Sequence, residues 1–273
     1  MSIITLTTDF GHKDYFVGAL KGQLYTQYPA VQLVDLSHEV DAFDLAQASY
    51  LVGAGYRHFP KGTVHIIGVD AGRTPSKGHI AALWEGHYFI AADNGVLGMI
   101  FRKKVPETLV EITIHDRLHE KATDMEVFAT VAIHLAKGGA LSVIGKTIST
   151  LHEVTELQPV IDQEQRQLKG YVMYIDHFGN AVTNIEQSLF MESARGRSYE
   201  ITVKREKLKT IFPHYHAIEA LDSKIDHAGK TMAIFNESGY LEIGIYKSTL
   251  HTGNAASLLG LRYRDAIWIE FKS

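Results

Sequence analysis

The sequence predicts an α/β protein in two parts: an N-terminal sheet domain with helices on both faces over residues 1–153, and a smaller, mainly β, barrel-like domain over 168–273. Three observations carry this reading. The first half alternates apolar strand-like runs with helical periodicity. A polar stretch around 152–169, "HEVTELQPVIDQEQRQLKG", has little periodicity and reads as a linker, placed at 154–167. Beyond it, short β-like runs dominate.

Taken in order, "SIITLTT" (2–8) reads as a strand and "YFVGALKGQLYTQY" (15–28) as a helix with apolar residues three and four apart. "AVQLVDLS" (30–37) is a second strand, "DLAQASYLVGAGYRHF" (44–59) a second helix and "GTVHIIGVD" (62–70) a third strand. The pair "HIAALWEG" and "HYFIAADNG" follows, and "MEVFATVAIHLAKGG" (125–139) is the clearest helix, ending on glycines suited to a C-cap. Such alternation predicts a parallel sheet, with ligands gathering beyond the carboxyl ends of its strands. Asp9, Asp35 and Asp70 lie at or near such ends. In the second half, "YVMYIDHFGNAVTNI", "YEITVKRE", "TMAIFNES", "YLEIGIY" and "DAIWIEFK" supply the strands.

Composition narrows the function. A formal net charge of −4 gives no general attraction to nucleic acid or acidic membranes. The absence of cysteine removes disulfide and thiolate chemistry. No apolar run approaches the roughly 20 residues needed to span a bilayer. The first residues run straight into a strand pattern without a signal core, so a cytoplasmic address is expected.

The acids carry the question of function. Asp9 and Asp70 each follow an apolar strand and stand just before a glycine or small residue, and Asp176 in "YIDHFGN" again follows a strand and comes before a Gly-containing turn. Each alone suits a helix cap or a turn amide. Two of them on one sheet edge suit a ribose diol, with a carboxylate accepting from both hydroxyls. Asparagine turns recur in "ADNGVLG", "HFGNAVTN" and "TGNAAS"; asparagine forms turns, and it also matches a nucleobase edge. Histidine is abundant, at 15. His115 and His119 in "HDRLH", and His214 and His216 in "HYH" read as one strand face, have the spacing of metal pairs. Neither gains a third ligand by spacing, so no metal is expected.

Together, "ITLTTDFGHKDYFVGALKGQL", "LVDLSHEV", "FPKGTVHIIGVDAG", "FIAADNGVLG", "YIDHFGNAVTNI" and "NESGYLEIGI…GNAASLLG" resemble the S-adenosylmethionine (SAM) hydroxide adenosyltransferase family, which also contains the fluorinases and chlorinases. The resemblance implies displacement of methionine from C5′ of SAM by water or hydroxide, giving adenosine. It implies a homotrimer with SAM between one subunit's N-domain and its neighbour's C-domain, SAM or adenosine as the small-molecule partner, no further cofactor, no nucleic acid and no membrane. By the same resemblance Asp9 chelates the ribose hydroxyls and Phe43 packs near ribose and adenine. Asp176, Phe178 and Asn180 engage the methionine amine and the purine, while Asn254 and Ala255 meet the adenine edge through their backbone.

The hydrolases of the family carry an Asp–Arg–His set around the attacking water. Here Asp70 supplies the aspartate. "DAGRTPSKG" offers Arg73 or, at the matching spacing, Lys77 for the arginine, and lysine lacks the planar fork. Thr123 stands where the histidine belongs, with Asp124 beside it; the halogenases have a small residue at 124, and a carboxylate there disfavours halide. Glu237 stands where the family has serine at the methionine end. The residues then support a modified hydrolase using Asp70 or Asp124 with Lys77, or a scaffold that binds SAM or adenosine without turnover. Without the resemblance, a generic nucleotide-type α/β protein, or a trimeric structural protein whose acids only cap turns, stays open.

Overall fold

The computed structural model describes residues 2–222, 225–249 and 251–272, in two compact units, Met1–Thr155 and Glu156–Ser273. In the first unit, strands β1 (Ile3–Thr8), β2 (Gln32–Ser37), β3 (Val64–Gly68), β4 (His79–Trp84), β5 (His87–Ala92), β6 (Thr108–Ile112) and β7 (Gly145–Thr147) form one sheet in the order β2-β1-β3-β5-β4-β6-β7. Helices α1 (Phe16–Gln27), α2 (Leu45–Gly55), α3 (Val96–Ile100) and α4 (Asp124–Ala136) cover it. Alternating strand residues divide the core. Ile4, Leu6, Val64, Ile66 and Ala81 pack under α1 and α4. Ile67, Val69, Ile80, Ala82 and Phe89 pack under α2 and α3.

The sheet is mixed rather than parallel. The pairs β2–β1, β1–β3 and β3–β5 are parallel; β5–β4, β4–β6 and β6–β7 are antiparallel. The cause is local. Only Glu85 and Gly86 join β4 to β5, both at positive φ (49° and 80°). A two-residue turn of that kind makes a hairpin, since a parallel return needs a long crossover. The parallel part positions the site. Thr8 and Gly68 are register partners, so Asp9 and Asp70 leave the sheet along one edge. Asp35 does not: it lies inside β2, opposite Leu6, with Lys21 Nζ 2.5 Å from its Oδ2.

In the second unit, β8 (Val160–Ile161), β9 (Gln167–Ile175), β10 (Ala181–Glu186), β11 (Ser198–Val203), β12 (Glu206–Leu208), β13 (Ile211–Phe212), β14 (Thr231–Phe235), β15 (Tyr240–Ile245) and β16 (Ala266–Lys272) form a nearly closed, barrel-like sheet. Its path is β12-β11-β16-β9-β10-β15-β14-β13, with β8 on β9. Helices α5 (Gln187–Ala194) and α6 (Ala255–Leu258) accompany it. Leu168, Val172, Ile185, Ile201, Leu241, Ile243, Ile267 and Ile269 fill its interior. Two local expectations differ from the structure. The segment read as linker contributes β8, because Val160 and Ile161 find ladder partners in Lys169 and Leu168. His214 and His216 share no strand: His214 precedes a 3-10 turn, Tyr215–Ala220. Among the described residues no helix is long and apolar enough to cross a membrane.

Candidate functional site

Asp9 begins the loop after β1, and its placement is built into the strand end. Thr8, fully buried, bonds His38 through Oγ1 and Nδ1 at 2.7 Å, and the Gly11 amide donates to the His38 carbonyl at 2.7 Å. Asp9 Oδ2 accepts the Phe43 N–H at 3.0 Å. Phe43 sits at φ 65° with 71% of its surface exposed, so this carboxylate holds an aromatic ring out in solvent. Asp9 Oδ1 has no hydrogen-bond partner among the described residues.

Asp70 follows β3 in the left-handed region, φ 44°. Buried Asn94 donates to the carbonyls of Val69 (3.1 Å) and Asp70 (3.2 Å), fixing that turn from the β5 side. Lys77 Nζ lies 2.9 Å from Asp70 Oδ2 and 3.1 Å from Asp70 O. Of the two cations in this loop it is therefore Lys77 that reaches Asp70. Arg73 instead lines a cleft of about 410 Å³ with His115, His119 and Asp124.

Asp124 is the first residue of α4 and accepts the Arg73 N–H through Oδ2 at 3.2 Å. Thr123, at the position of the expected histidine, is the helix cap. Its hydroxyl accepts the Glu126 N–H (3.3 Å) while Glu126 Oε2 accepts the Thr123 N–H (2.6 Å), a reciprocal capping box. That hydroxyl is committed to the helix end. The imidazoles nearby come from elsewhere: His79, fully buried, and His115, both held below the usual histidine range chiefly by burial. His115 lies in a 3-10 turn that ends at Arg117, and His119 beyond it pairs with Glu126 at 3.4 Å, so the helix-face pair does not form. No group of three or more His, Cys, Asp or Glu among the described residues is arranged to hold a metal ion.

In the second unit the loop from β9 to β10 carries Asp176, Phe178 and Asn180. Asp176 accepts the Asn180 backbone N–H (2.8 Å) and its side-chain amide (3.1 Å). The same amide reaches Glu242 Oε1 at 3.1 Å, and Asn236 reaches Glu242 Oε2 at 3.1 Å. Burial, with the Asp176 charge adding to it, raises the Glu242 carboxyl above the usual range. Gly179 presses on Asn254: a Cβ on it would lie 1.9 Å from Asn254 Nδ2. Asn254 Oδ1 caps α6 at Ser257 N (3.0 Å), Ala255 is fully buried, and Ala256 N donates to Gly179 O (2.9 Å). Phe178 is 69% exposed at the tip.

The structure thus gathers Asp9 with Phe43, and Asp70 with Lys77, along one edge of the first sheet. It gathers Asp176, Asn180, Asn254 and Ala255 at one turn of the second. Sequence reasoning missed His79, Asn94 as a carbonyl clamp, and Glu242. The last had a signal, a carboxylate inside the apolar run "YLEIGI". His79 had none, because its partners come from distant segments.

An α/β sheet with carboxylates aligned at one edge, followed by a β-barrel-like unit with an acid–amide turn, defines a two-unit α/β protein. Residues 4–145 match the SAM hydroxide adenosyltransferase N-terminal domain and residues 170–268 the C-terminal domain of the same family. The chain belongs to that family. It is 24% identical to an (R)-S-adenosyl-L-methionine hydrolase of Methanocaldococcus jannaschii over 99% of this chain and 97% of that one. It is 25% identical to the hydrolase of the same name from Thermus thermophilus (96% and 97%), and 27% identical to a fluorinase of Actinopolyspora mzabensis (94% and 92%). A crystal structure of a conserved protein from Thermotoga maritima superposes with TM-score 0.82 at 27% identity, covering 98% of this chain and 99% of that one.

Proposed function

We propose that this protein hydrolyses SAM to adenosine and methionine. Water oxygen bonds to C5′ of the ribose as the C5′–S bond breaks. The bonding pair stays on sulfur, which leaves as the neutral thioether of methionine, and one water proton passes to a protein carboxylate and then to solvent. A sulfonium needs no acid to depart, so the protein's task is alignment, worth up to roughly 7–11 kcal/mol in favourable cases. The observation that carries the reading is the Asp70–Lys77 contact at 2.9 Å on the same sheet edge as Asp9, whose Oδ1 is open to a ribose hydroxyl.

In this reading Asp70 accepts the proton and Lys77 holds it in place. Asp9 takes the ribose diol, with its desolvation offset by charge-assisted hydrogen bonds. Phe43 and Phe178 offer exposed rings to the purine, and Asp176 with Glu242 attracts the methionine ammonium. The halves are completed between neighbouring chains of a homotrimer. Asp124, whose Oδ2 accepts the Arg73 N–H, takes a supporting part. A second reading, SAM or adenosine binding without turnover, draws on Thr123, which stands where the family's hydrolases carry histidine and whose hydroxyl is committed to capping α4.

Purified protein incubated with SAM, with chromatographic detection, decides between them. Equal amounts of adenosine and methionine are expected. Measurable SAM binding without product supports the binding scaffold, and absence of both removes the SAM site altogether.

A further inference from the structure

Behind the Asp70–Lys77 contact, buried polar groups hold the backbone that follows Asp70. His79, at the start of β4, places Nε2 3.0 Å from the Ala71 carbonyl and Nδ1 3.0 Å from His115 Nε2. A carbonyl only accepts, so His79 carries its proton on Nε2. Its Nδ1 is then an acceptor, and His115 Nε2 donates to it. Asp124 Oδ1 lies 3.4 Å from the same His79 Nε2, while its Oδ2 takes the Arg73 N–H. Ala71 and Arg73, one and three residues past Asp70, are thereby tied to side chains from β4 and α4. The Phe128 ring meets the His79 imidazole edge-on, centroids 4.7 Å apart, closing the far side. Half-buried His115 also lines the cleft of about 410 Å³, which gives buried His79 a route to solvent protons.

We propose that His79, with Asp124 and His115, is a proton-dependent positioning cluster that fixes the Asp70 turn for catalysis; this rests on the hydrolysis reading above. The groups facing it have opposing effects. Around His79, burial, His115 and Arg73 oppose a second proton, whereas the Ala71 carbonyl and Asp124 favour one. Around His115, burial and Arg73 oppose it, and Asp124, Asp116 and Glu111 favour it. When acid supplies that proton, the imidazolium draws the Asp124 carboxylate toward itself and away from Arg73 N–H. The Asp70 turn then loosens. A solvent proton adds to Nδ1 of His115 as the Nε2 proton of His115 passes to His79 Nδ1, so His79 becomes the imidazolium, His115 stays neutral and no bond between heavy atoms changes.

Two measurements on the full chain test this. The first is hydrogen exchange of the segment 70–78 at neutral pH. His79→Ala should speed exchange there roughly fivefold or more, the loss of about one buried hydrogen bond, while His79→Gln, which still donates to Ala71 O, recovers most of the protection. Unchanged exchange in His79→Ala overturns the positioning role. The second is the pH dependence of SAM turnover as the pH falls below 6.5, because both imidazoles take up a proton below their ordinary value. The wild type should lose kcat on the acid side at nearly constant KM, and His79→Gln should flatten that limb. An identical acid limb in His79→Gln overturns the proton dependence. If His79→Ala loosens the segment but the wild type turns over no SAM, the positioning cluster stands and the hydrolysis reading falls.

Discussion

Lys77 Nζ touches Asp70 twice, at Oδ2 (2.9 Å) and at the carbonyl oxygen (3.1 Å), and so clamps both the side chain and the main chain of one residue. Asp70 needs that clamp. A non-glycine residue in the left-handed region costs on the order of 1–3 kcal/mol and persists only when its surroundings hold it there. Lysine lacks the planar fork of arginine, but here its point charge reaches two oxygens of the same residue. The geometry recovers by a bent loop what the side chain lacks in shape.

Lys77→Met removes both contacts and keeps the length of the side chain. Because the pair is partly solvated, the stability loss should stay near ~1 kcal/mol, read from denaturant midpoints. Turnover should fall much further, on the order of 10²-fold, because a small displacement of an aligned group is costly. A variant with wild-type kcat would remove Lys77 from the reaction.

Asp9 combines two roles that substitutions can separate. Asp9→Ala deletes the acceptor for Phe43 N–H and should cost about 1 kcal/mol of stability as well as nucleoside affinity. Asp9→Asn keeps an acceptor for Phe43 N–H while losing the charge and one acceptor. It should melt within a degree or two of wild type yet bind adenosine at least about tenfold more weakly, as expected when a charge-assisted bond is lost. Calorimetric titration with adenosine measures this directly. Equal affinity in Asp9→Asn would mean that the carboxylate serves only the Phe43 turn.

Much of this arrangement was legible in the sequence, and the rest was hidden for definite reasons. Period and turn residues announced β1, β3 and α4 because each buries a regular face. The edge shared by Asp9 and Asp70 followed from strand alternation alone. The mixed sheet was not read, although Glu85–Gly86 is a hairpin signal, because the long alternation outweighed one dipeptide. Lys77, with Arg73 as the alternative, came from the resemblance, at the position matching the family's arginine. His79 was not found, since its meaning lies in Ala71, His115 and Asp124, which only the folded chain brings to it. Asp176 and Asn180 entered through the resemblance, and their mutual contact is local, four residues apart; Glu242, 62 residues from Asn180, needed the barrel.

Gly179 tests the second unit. It has φ 79°, and any Cβ would overlap the Asn254 amide, so Gly179→Ala must displace the turn or the α6 cap. A cost of about 1–3 kcal/mol is expected from the backbone alone. Ligand affinity should fall with it, because Phe178 and Asn180 ride on that turn. Asn254→Ala relieves the overlap at the cost of the cap. The double variant Gly179→Ala with Asn254→Ala should therefore be less destabilised than the sum of the singles, and strict additivity would show that the two residues do not press on each other.

His65 gives the fold a pH dependence independent of the site. It is fully buried between Thr5 Oγ1 (2.7 Å from Nδ1) and His87 Nδ1 (3.2 Å from Nε2), and burial, with the neighbouring His87, pushes it down to about 3. The unfolded chain takes up a proton near the ordinary value of 6.5, whereas the folded chain resists it until about 3. Stability present above 6.5 is therefore lost as the pH falls through that window, by about 1.4 kcal/mol per pH unit for this one group. His87 is shifted in the same direction and adds to the slope. His65→Asn keeps a polar atom for Thr5 but cannot titrate. It should be less stable at neutral pH, through lost packing, and yet lose less stability on going from about pH 7 to about pH 5. Urea midpoints at each pH measure both effects. A parallel decline in the two proteins would show that His65 takes up its proton at the same pH in the folded and the unfolded chain.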